Sequence, residues 1–150
     1  MALDFRRSRR GALAGAAAAG VWALQQPLDI RFFGVPYDDT ELLGKFVTRS
    51  RAWRPAGIGI HLAFGAGVGA VYAAIARELP VPPWTRGPLF ALTEHLATWP
   101  GTRLLPAVHP AAADFPVLWG DHAAFAQATW RHLLFGAVLG TLERAPGSAR

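Results

Sequence analysis

The sequence has no cysteine and a single lysine, Lys45, and only 17% of its 150 residues are charged. Without cysteine the chain has no disulfides, thiolate zinc sites, iron–sulfur clusters or thiol nucleophile. An ordinary soluble domain carries about 25% charged residues, so few charges remain to cover a surface exposed to water. Phosphate loops, dinucleotide fingerprints and the common serine-hydrolase and zinc-protease motifs are also missing. We therefore predict that the protein is not an enzyme and has no catalytic residue, no metal and no cofactor.

Apolar residues dominate what is present. They make up 52% of the sequence, and the mean hydropathy is +0.22. This excludes intrinsic disorder, which requires low hydrophobicity. A helix that crosses a bilayer core needs about 20 mostly apolar residues. The sequence therefore predicts an all-α fold, a four-helix transmembrane bundle within a single domain of residues 1–144. The alternatives are a bundle with two or three spans and a soluble bundle. The predicted spans are about 11–30, 56–77, 87–107 and 122–142, and residues 145–150 are predicted to be a disordered tail.

The connection between spans one and two is predicted to contain a short amphipathic helix on the membrane surface. Asp38 and Asp39 favour a helix start, because their carboxylates accept from free backbone N–H groups at the positive end of the helix dipole. Apolar residues then recur at helical spacing, as surface-lying helices require. They are Leu42, Leu43, Phe46 and Val47.

Arginines set the predicted orientation. Four of them precede the first span: Arg6, Arg7, Arg9 and Arg10. Because cytoplasmic flanks of spans are enriched in Lys and Arg, we expect a multi-pass protein of the bacterial inner membrane with both termini in the cytoplasm. One group of arginines does not fit this orientation, because it would lie on the side opposite the cytoplasm: Arg49, Arg51 and Arg54. The N-terminal arginines and the following Ala-rich run also resemble a twin-arginine export signal. The cluster lacks interleaved aromatics, so no nucleic-acid partner is expected.

The two halves of the chain contain similar segments. Residues 61–69 (HLAFGAGVG) and 132–140 (HLLFGAVLG) are identical at six of nine positions. The repeat predicts two duplicated helical hairpins, related by an axis along the membrane normal. Glycines on these and the first predicted span recur at four-residue steps, which allows helix backbones to pack closely in lipid. The predicted helix-packing residues are Gly11, Gly15, Gly57, Gly65, Gly69, Gly136 and Gly140.

Several polar residues lie within the predicted spans: Glu94, His95, Arg131, His132 and His61. A charge at mid-bilayer costs about 2.5–3.5 kcal/mol on insertion scales, so these side chains should face the bundle interior. One interpretation is an ion pair between Glu94 and Arg131 that ties spans three and four together. The other is a proton-accessible cavity lined by Glu94, His95 and His132.

Two further alternatives use histidine as a ligand. His61 and His132 could be axial ligands of a haem, although their predicted depths in the membrane differ by roughly 7 Å at 1.5 Å per residue. Outside the membrane, four side chains with hard donor atoms could gather as a metal site. These are His109, Asp114, Asp121 and His122.

One pattern in the second span resembles the second membrane helix of the YagU-like family of uncharacterised small inner-membrane proteins: His61-x-x-Phe64-x-x-x-Val68-Gly69-x-x-Tyr72. The resemblance implies a small multi-span bacterial membrane protein and specifies no activity. Because catalytic motifs are missing, we expect a structural or accessory role, with the chain packing against the lipid bilayer and against other membrane subunits or itself. The alternative is a small transporter or proton-coupled channel that uses the intramembrane Glu and His residues.

Overall fold

The computed structural model describes residues 5–144, and all regular secondary structure in this part of the chain is helical. The α-helices are α1 (Phe5–Phe33), α2 (Asp39–Val47), α3 (Trp53–Ile75), α4 (Pro83–Thr98), α5 (Leu105–Val108) and α6 (His122–Arg144). Helix α4 continues into a 3₁₀ segment, Trp99–Leu104, and a 3₁₀ turn, Ala112–Asp114, lies in the last connection. The all-α prediction is confirmed.

Helix α1 lies at the centre of the fold. Its buried positions follow the three- and four-residue steps of one helix face and include both small and polar residues. The opposite face carries exposed apolar side chains, among them Leu24 and Phe32, which are each 83% exposed. Exposed arginines, Arg9 and Arg31, lie near the two ends of the helix. The buried residues of α1 are Gly11, Ala14, Gly15, Ala18, Ala19, Trp22, Gln26 and Asp29.

The long helices form an open arc rather than a closed ring. Helix α1 packs against α3 on one side and α6 on the other, and α6 packs against α4. Helices α3 and α4 therefore lie at the two ends of the arc. Tyr72 and Phe90 join them near their connection, with ring centroids 5.3 Å apart. Beyond this contact the two helices leave a groove between them.

Glycines allow two pairs of long helices to approach closely. A Cβ atom on Gly15 would lie 2.0 Å from the carbonyl oxygen of Gly65, and one on Gly69 would lie 2.2 Å from that of Gly11. On the other side of the fold, a Cβ on Gly136 would lie 2.4 Å from the carbonyl oxygen of Gly87. These contacts join α1 to α3 and α4 to α6, the two pairs that the predicted hairpins contain.

Helix α2 begins where the acidic residues predicted a helix start. Asp38 is the N-cap, and its carboxylate accepts from the backbone N–H groups of Thr40 and Glu41. The helix also packs on α3, because Gly44 and Gly57 remove the side chains that would separate them. A Cβ on Gly57 would lie 1.8 Å from the carbonyl oxygen of Thr40. Gly57 therefore packs against the amphipathic helix and not against another predicted span.

The third predicted span, 87–107, is not one continuous α-helix. Helix α4 ends at Thr98, the 3₁₀ segment follows, and α5 completes the range. Pro100 and Pro106 explain the breaks, since proline has no N–H to donate to the preceding turn. The sequence-based prediction gave too little weight to these prolines.

One α-helix in residues 5–144 is long and apolar enough to cross a membrane. It is α3, Trp53–Ile75, with a mean hydropathy of 1.7 over its most apolar window. The arrangement with four spans stays a prediction. The predicted tail, 145–150, lies outside the described residues.

The two polar connections meet at one end of the fold. Lys45 on α2 donates to Asp114 in the last connection at 2.7 Å and also pairs with Glu41. The hydrogen bond to Asp114 raises the pKa of Lys45, and the same bond lowers the pKa of Asp114. The imidazole of His109 donates to the Leu42 carbonyl at 3.0 Å. The opposite end holds Arg10, which pairs with Glu143 at 3.4 Å.

Candidate functional site

Arg131 is the most deeply buried charged group in the described part of the chain. Its side chain is fully buried on α6 and binds the carboxylate of Asp29 on α1 through two hydrogen bonds, of 2.6 and 2.7 Å. A third guanidinium nitrogen donates to Asp39 at the start of α2 at 2.8 Å. Two parallel bonds between guanidinium and carboxylate are a strong and directional form of ion pair. Arg131 thus joins three helices.

The carboxylates beside Arg131 have several further donors. The Trp22 indole N–H donates to Asp39 at 2.8 Å, and the Tyr37 hydroxyl donates to its other oxygen. The Gln127 amide donates to Asp29 at 2.9 Å. Burial raises the pKa of Tyr37 well above its usual range, and the nearby Asp39 charge raises it further, so the hydroxyl keeps its proton and remains a donor.

The predicted ion pair between Glu94 and Arg131 is wrong. Arg131 turns toward Asp29 and Asp39, and Glu94 pairs with His132 at 2.9 Å. The prediction was wrong because it overlooked Asp29 as a partner of Arg131. In the sequence Asp29 directly follows the first apolar run, at its outer end. Helix α1 instead continues past Pro27 to Phe33, so Asp29 lies on its buried face.

His132 lies between a backbone carbonyl and the carboxylate of Glu94. The Nδ1 atom of His132 lies 2.7 Å from the carbonyl oxygen of Ala128. A carbonyl only accepts, so Nδ1 carries a hydrogen. The Nε2 atom then faces a Glu94 oxygen at 2.9 Å, and this contact is attractive only with a proton in it. The pair is either an imidazolium with a carboxylate or an imidazole with a carboxylic acid, and its net charge is zero in both forms.

His95 on α4 packs its ring against the imidazole of His132. The two ring centroids are 4.6 Å apart, with planes inclined by 33°. The Thr129 hydroxyl donates to the Phe125 carbonyl, so it can only accept from His95 Nε2, which lies 3.0 Å away. His95 therefore carries its hydrogen on Nε2. A neutral His95 beside His132 avoids the repulsion between two stacked cations.

A cavity of about 290 Å³ lies next to this pair. Its polar wall comes from α2, α3, α4 and α6, with contributions from Asp39, His61, Glu94 and His132. Its apolar wall is aromatic and includes Trp22, Phe64 and Phe135. The cavity thus collects titratable side chains from four helices that are far apart in sequence.

The cavity continues into the groove between α3 and α4. The groove has a volume of about 610 Å³ and shares Phe64, Val68 and Glu94 with the cavity. Its other lining residues are Ile60, Ala63, Gly67, Val71 and Phe90. Glu94 is therefore the one charged group at the junction of a polar cavity and an apolar groove.

The geometry does not suit a haem between His61 and His132. The indole of Trp22 contacts both imidazoles edge-on, at 5.5 and 4.8 Å between centroids. His61 Nε2 donates to the Ala19 carbonyl at 3.2 Å, and both nitrogens of His132 have partners. Within residues 5–144 no group of three or more side chains could hold a metal ion. The predicted metal site outside the membrane is therefore not formed by its four residues, His109, Asp114, Asp121 and His122.

Reasoning from sequence missed Asp29, Asp39, Tyr37, Trp22 and Gln127. A signal for Asp29 was present: the buried stripe that begins at Gly11 and Gly15 leads, in helical steps, to it. No local pattern pointed to Asp39, because its role depends on how α2 folds back against α1.

No protein-family model, curated protein or solved structure matches this chain. The resemblance to the YagU-like family therefore stays a prediction. The function has to be argued from the site itself.

Proposed function

We propose that the chain is a small multi-pass protein of the inner membrane that moves protons through the Glu94–His132 cavity. The observation that carries this proposal is the hydrogen-bonding pattern of His132, whose Nδ1 faces a backbone carbonyl while its Nε2 faces the Glu94 carboxylate, an arrangement that suits one shared proton. Loss of that proton would place an imidazole lone pair against a carboxylate. The contact would then open, so proton release is coupled to movement of side chains on α4 and α6.

The exposed surface supports a place in the membrane. Apolar side chains that no other helix covers extend along α1, α3 and α4, among them Leu28, Phe64 and Leu96. Helix α1 of 29 residues and α6 of 23 residues are long enough to span, since a bilayer core of about 30 Å needs about 20 helical residues. Helix α4 with its 3₁₀ extension covers roughly 36 Å at 1.5 and 2.0 Å per residue.

Inside a membrane, charged side chains are also expected to pair with one another, because an unpaired charge is costly there. Ionisable residues inside a bilayer face the protein interior and commonly mark proton or ion pathways. Arg131, Asp29 and Asp39 satisfy one another, so they form a fixed scaffold. Glu94 is less enclosed, with 36% of its side chain exposed, and it is the group of the site that can exchange a proton with the cavity.

Proton flux into liposomes that contain the full chain tests the proposal. With an imposed membrane potential and a pH-sensitive dye inside, we expect flux above that of empty liposomes, and at least a tenfold loss in Glu94→Gln. Glu78→Gln makes the same change at an exposed site between α3 and α4 and should leave the flux unchanged. Flotation of the liposomes confirms that each variant is inserted. Equal flux from Glu94→Gln and the wild type would overturn the proposal.

A structural or accessory role is the second candidate. It is favoured by the exposed apolar ridge on α1, where Leu24, Leu28 and Phe32 lie at four-residue steps and are at least 68% exposed. A partner helix could pack along this ridge. In that case, reconstituted protein alone would show no flux, and cross-linking in native membranes would join the ridge to another chain.

A further inference from the structure

We infer that the cavity and groove bind a hydrophobic organic cation, such as a tertiary or quaternary ammonium ion, in exchange for the proton of the Glu94–His132 pair. This inference rests on the proposed function and adds the class of substrate. Its basis is the position of Glu94, which lies where the polar cavity meets the apolar groove.

The charge of the site favours a cation. Arg131 carries one positive charge, but its partners Asp29 and Asp39 carry two negative charges. With its proton, the Glu94–His132 pair adds no charge. Without the proton the pair adds a further negative charge. Tyr37, His61 and His95 are the other titratable side chains near the pair, and none of them carries a charge in its neutral form.

The walls of the site suit an apolar cation. Aromatic faces attract cations, most strongly where water is excluded, and Trp22, Phe64 and Phe135 line the cavity. Apolar substituents would lie in the groove against Ile60, Val68 and Phe90. Because the groove opens between two helices that do not close on each other, such a ligand can enter from the lipid.

The geometry of the Glu94–His132 pair allows a bound cation to replace the shared proton. A cation beside Glu94 stabilises the carboxylate and removes the need for the shared proton. That proton leaves to water, and the His132 imidazole keeps its Nδ1 hydrogen on the Ala128 carbonyl. One cation enters for each proton released, and charge is conserved. Asp39 stays bound to Arg131 throughout and keeps the cavity negative.

Titration calorimetry on the full chain in lipid nanodiscs tests this inference, with tetraphenylphosphonium as the probe and empty nanodiscs as the blank. Tetraphenylborate has the same shape and the opposite charge. We expect the phosphonium to bind at least tenfold more tightly than the borate. Its apparent Kd should rise by up to about tenfold for each pH unit that the pH falls, as competition with one proton requires. A pH indicator should record one proton released for each cation bound.

Two leucine variants on α3 test where the cation lies. A Cβ at Gly67 or at Gly59 meets no atom within 4 Å, so both variants should fold. Gly67 lines the groove, and Gly67→Leu should weaken phosphonium binding at least tenfold. Gly59 lies on the exposed surface of the same helix, and Gly59→Leu should bind like the wild type. Equal binding by both variants would overturn the placement.

The outcomes separate this inference from the proposed function. Equal binding of phosphonium and borate, together with a proton flux that depends on Glu94, would overturn the inference and leave the proton pathway intact. Phosphonium binding that is independent of pH and releases no proton would overturn the exchange and count against the shared proton. Tight binding in Glu94→Gln would overturn the role of the carboxylate.

Discussion

Arg131→Met is expected to lower the free energy of unfolding by about 3–5 kcal/mol, which is the usual effect of breaking a buried ion pair from one side. The substitution leaves Asp29 buried without its counter-ion, and Asp39 loses a donor. Unfolding by sodium dodecyl sulfate in mixed micelles, followed by circular dichroism, measures the change. The matched control is Arg77→Met, which removes an exposed guanidinium and should change stability by no more than about 0.5 kcal/mol.

A second substitution tests whether Asp29 is the ion-pair partner of Arg131. Asp29→Asn in the Arg131→Met background removes the unpaired carboxylate and should restore part of the lost stability. The interaction energy from this double-mutant cycle should be about 1–3 kcal/mol, as for neighbouring charged residues. If Arg131→Met were as stable as the wild type, the ion pair at the centre of the fold would be refuted.

Gly65→Ala and Gly69→Ala are expected to destabilise the contact between α1 and α3. The new Cβ atoms would lie 2.5 Å from the Ala19 Cβ and 2.2 Å from the Gly11 carbonyl oxygen, respectively. At Gly69 the nearest atom is backbone, so the helices themselves must move apart. Overpacking of this kind costs about 1–3 kcal/mol, and sometimes more.

Gly67→Ala, between these two positions, is the control. Its Cβ would meet nothing within 4 Å, and alanine is a better helix former than glycine by about 0.5–1 kcal/mol. We therefore expect this variant to be at least as stable as the wild type. If all three variants lost the same stability, the close approach of α1 at Gly65 and Gly69 could not be the cause, because Gly67 makes no such contact. Thermal unfolding in detergent, monitored by circular dichroism, gives this comparison.

The periodicity of the sequence was sufficient to predict much of the fold. Gly11, Gly15, Gly65 and Gly69 lie at four-residue steps, and the structure brings them together between α1 and α3. The start of α2 followed from Asp38, because an N-cap is a local interaction within a few residues. Such features depend on neighbours along one helix, which the sequence displays directly.

The site could be predicted only in part. Glu94 and His132 line one cavity as predicted, together with His61. His95 was predicted to line it too but is buried behind His132 instead, and the predicted partner of Glu94 was wrong. Depth along a helix is readable from the sequence, whereas the rotation of one helix against another depends on packing that forms only in the fold. Arg131 has two acidic partners, Asp29 and Asp39. The sequence placed Asp29 at the end of the first predicted span and Asp39 in the connection that follows it.

The ionisation of His132 is the most direct test of the account. Nitrogen-15 NMR of histidine-labelled protein in lipid bilayers, with His132→Gln to assign the signal, reports the hydrogens on both ring nitrogens near neutral pH. We predict a hydrogen on Nδ1 and a second proton shared with Glu94, and we expect Glu94→Gln to remove the second proton alone. A His132 ring with Nδ1 unprotonated, or a spectrum that Glu94→Gln leaves unchanged, would contradict it.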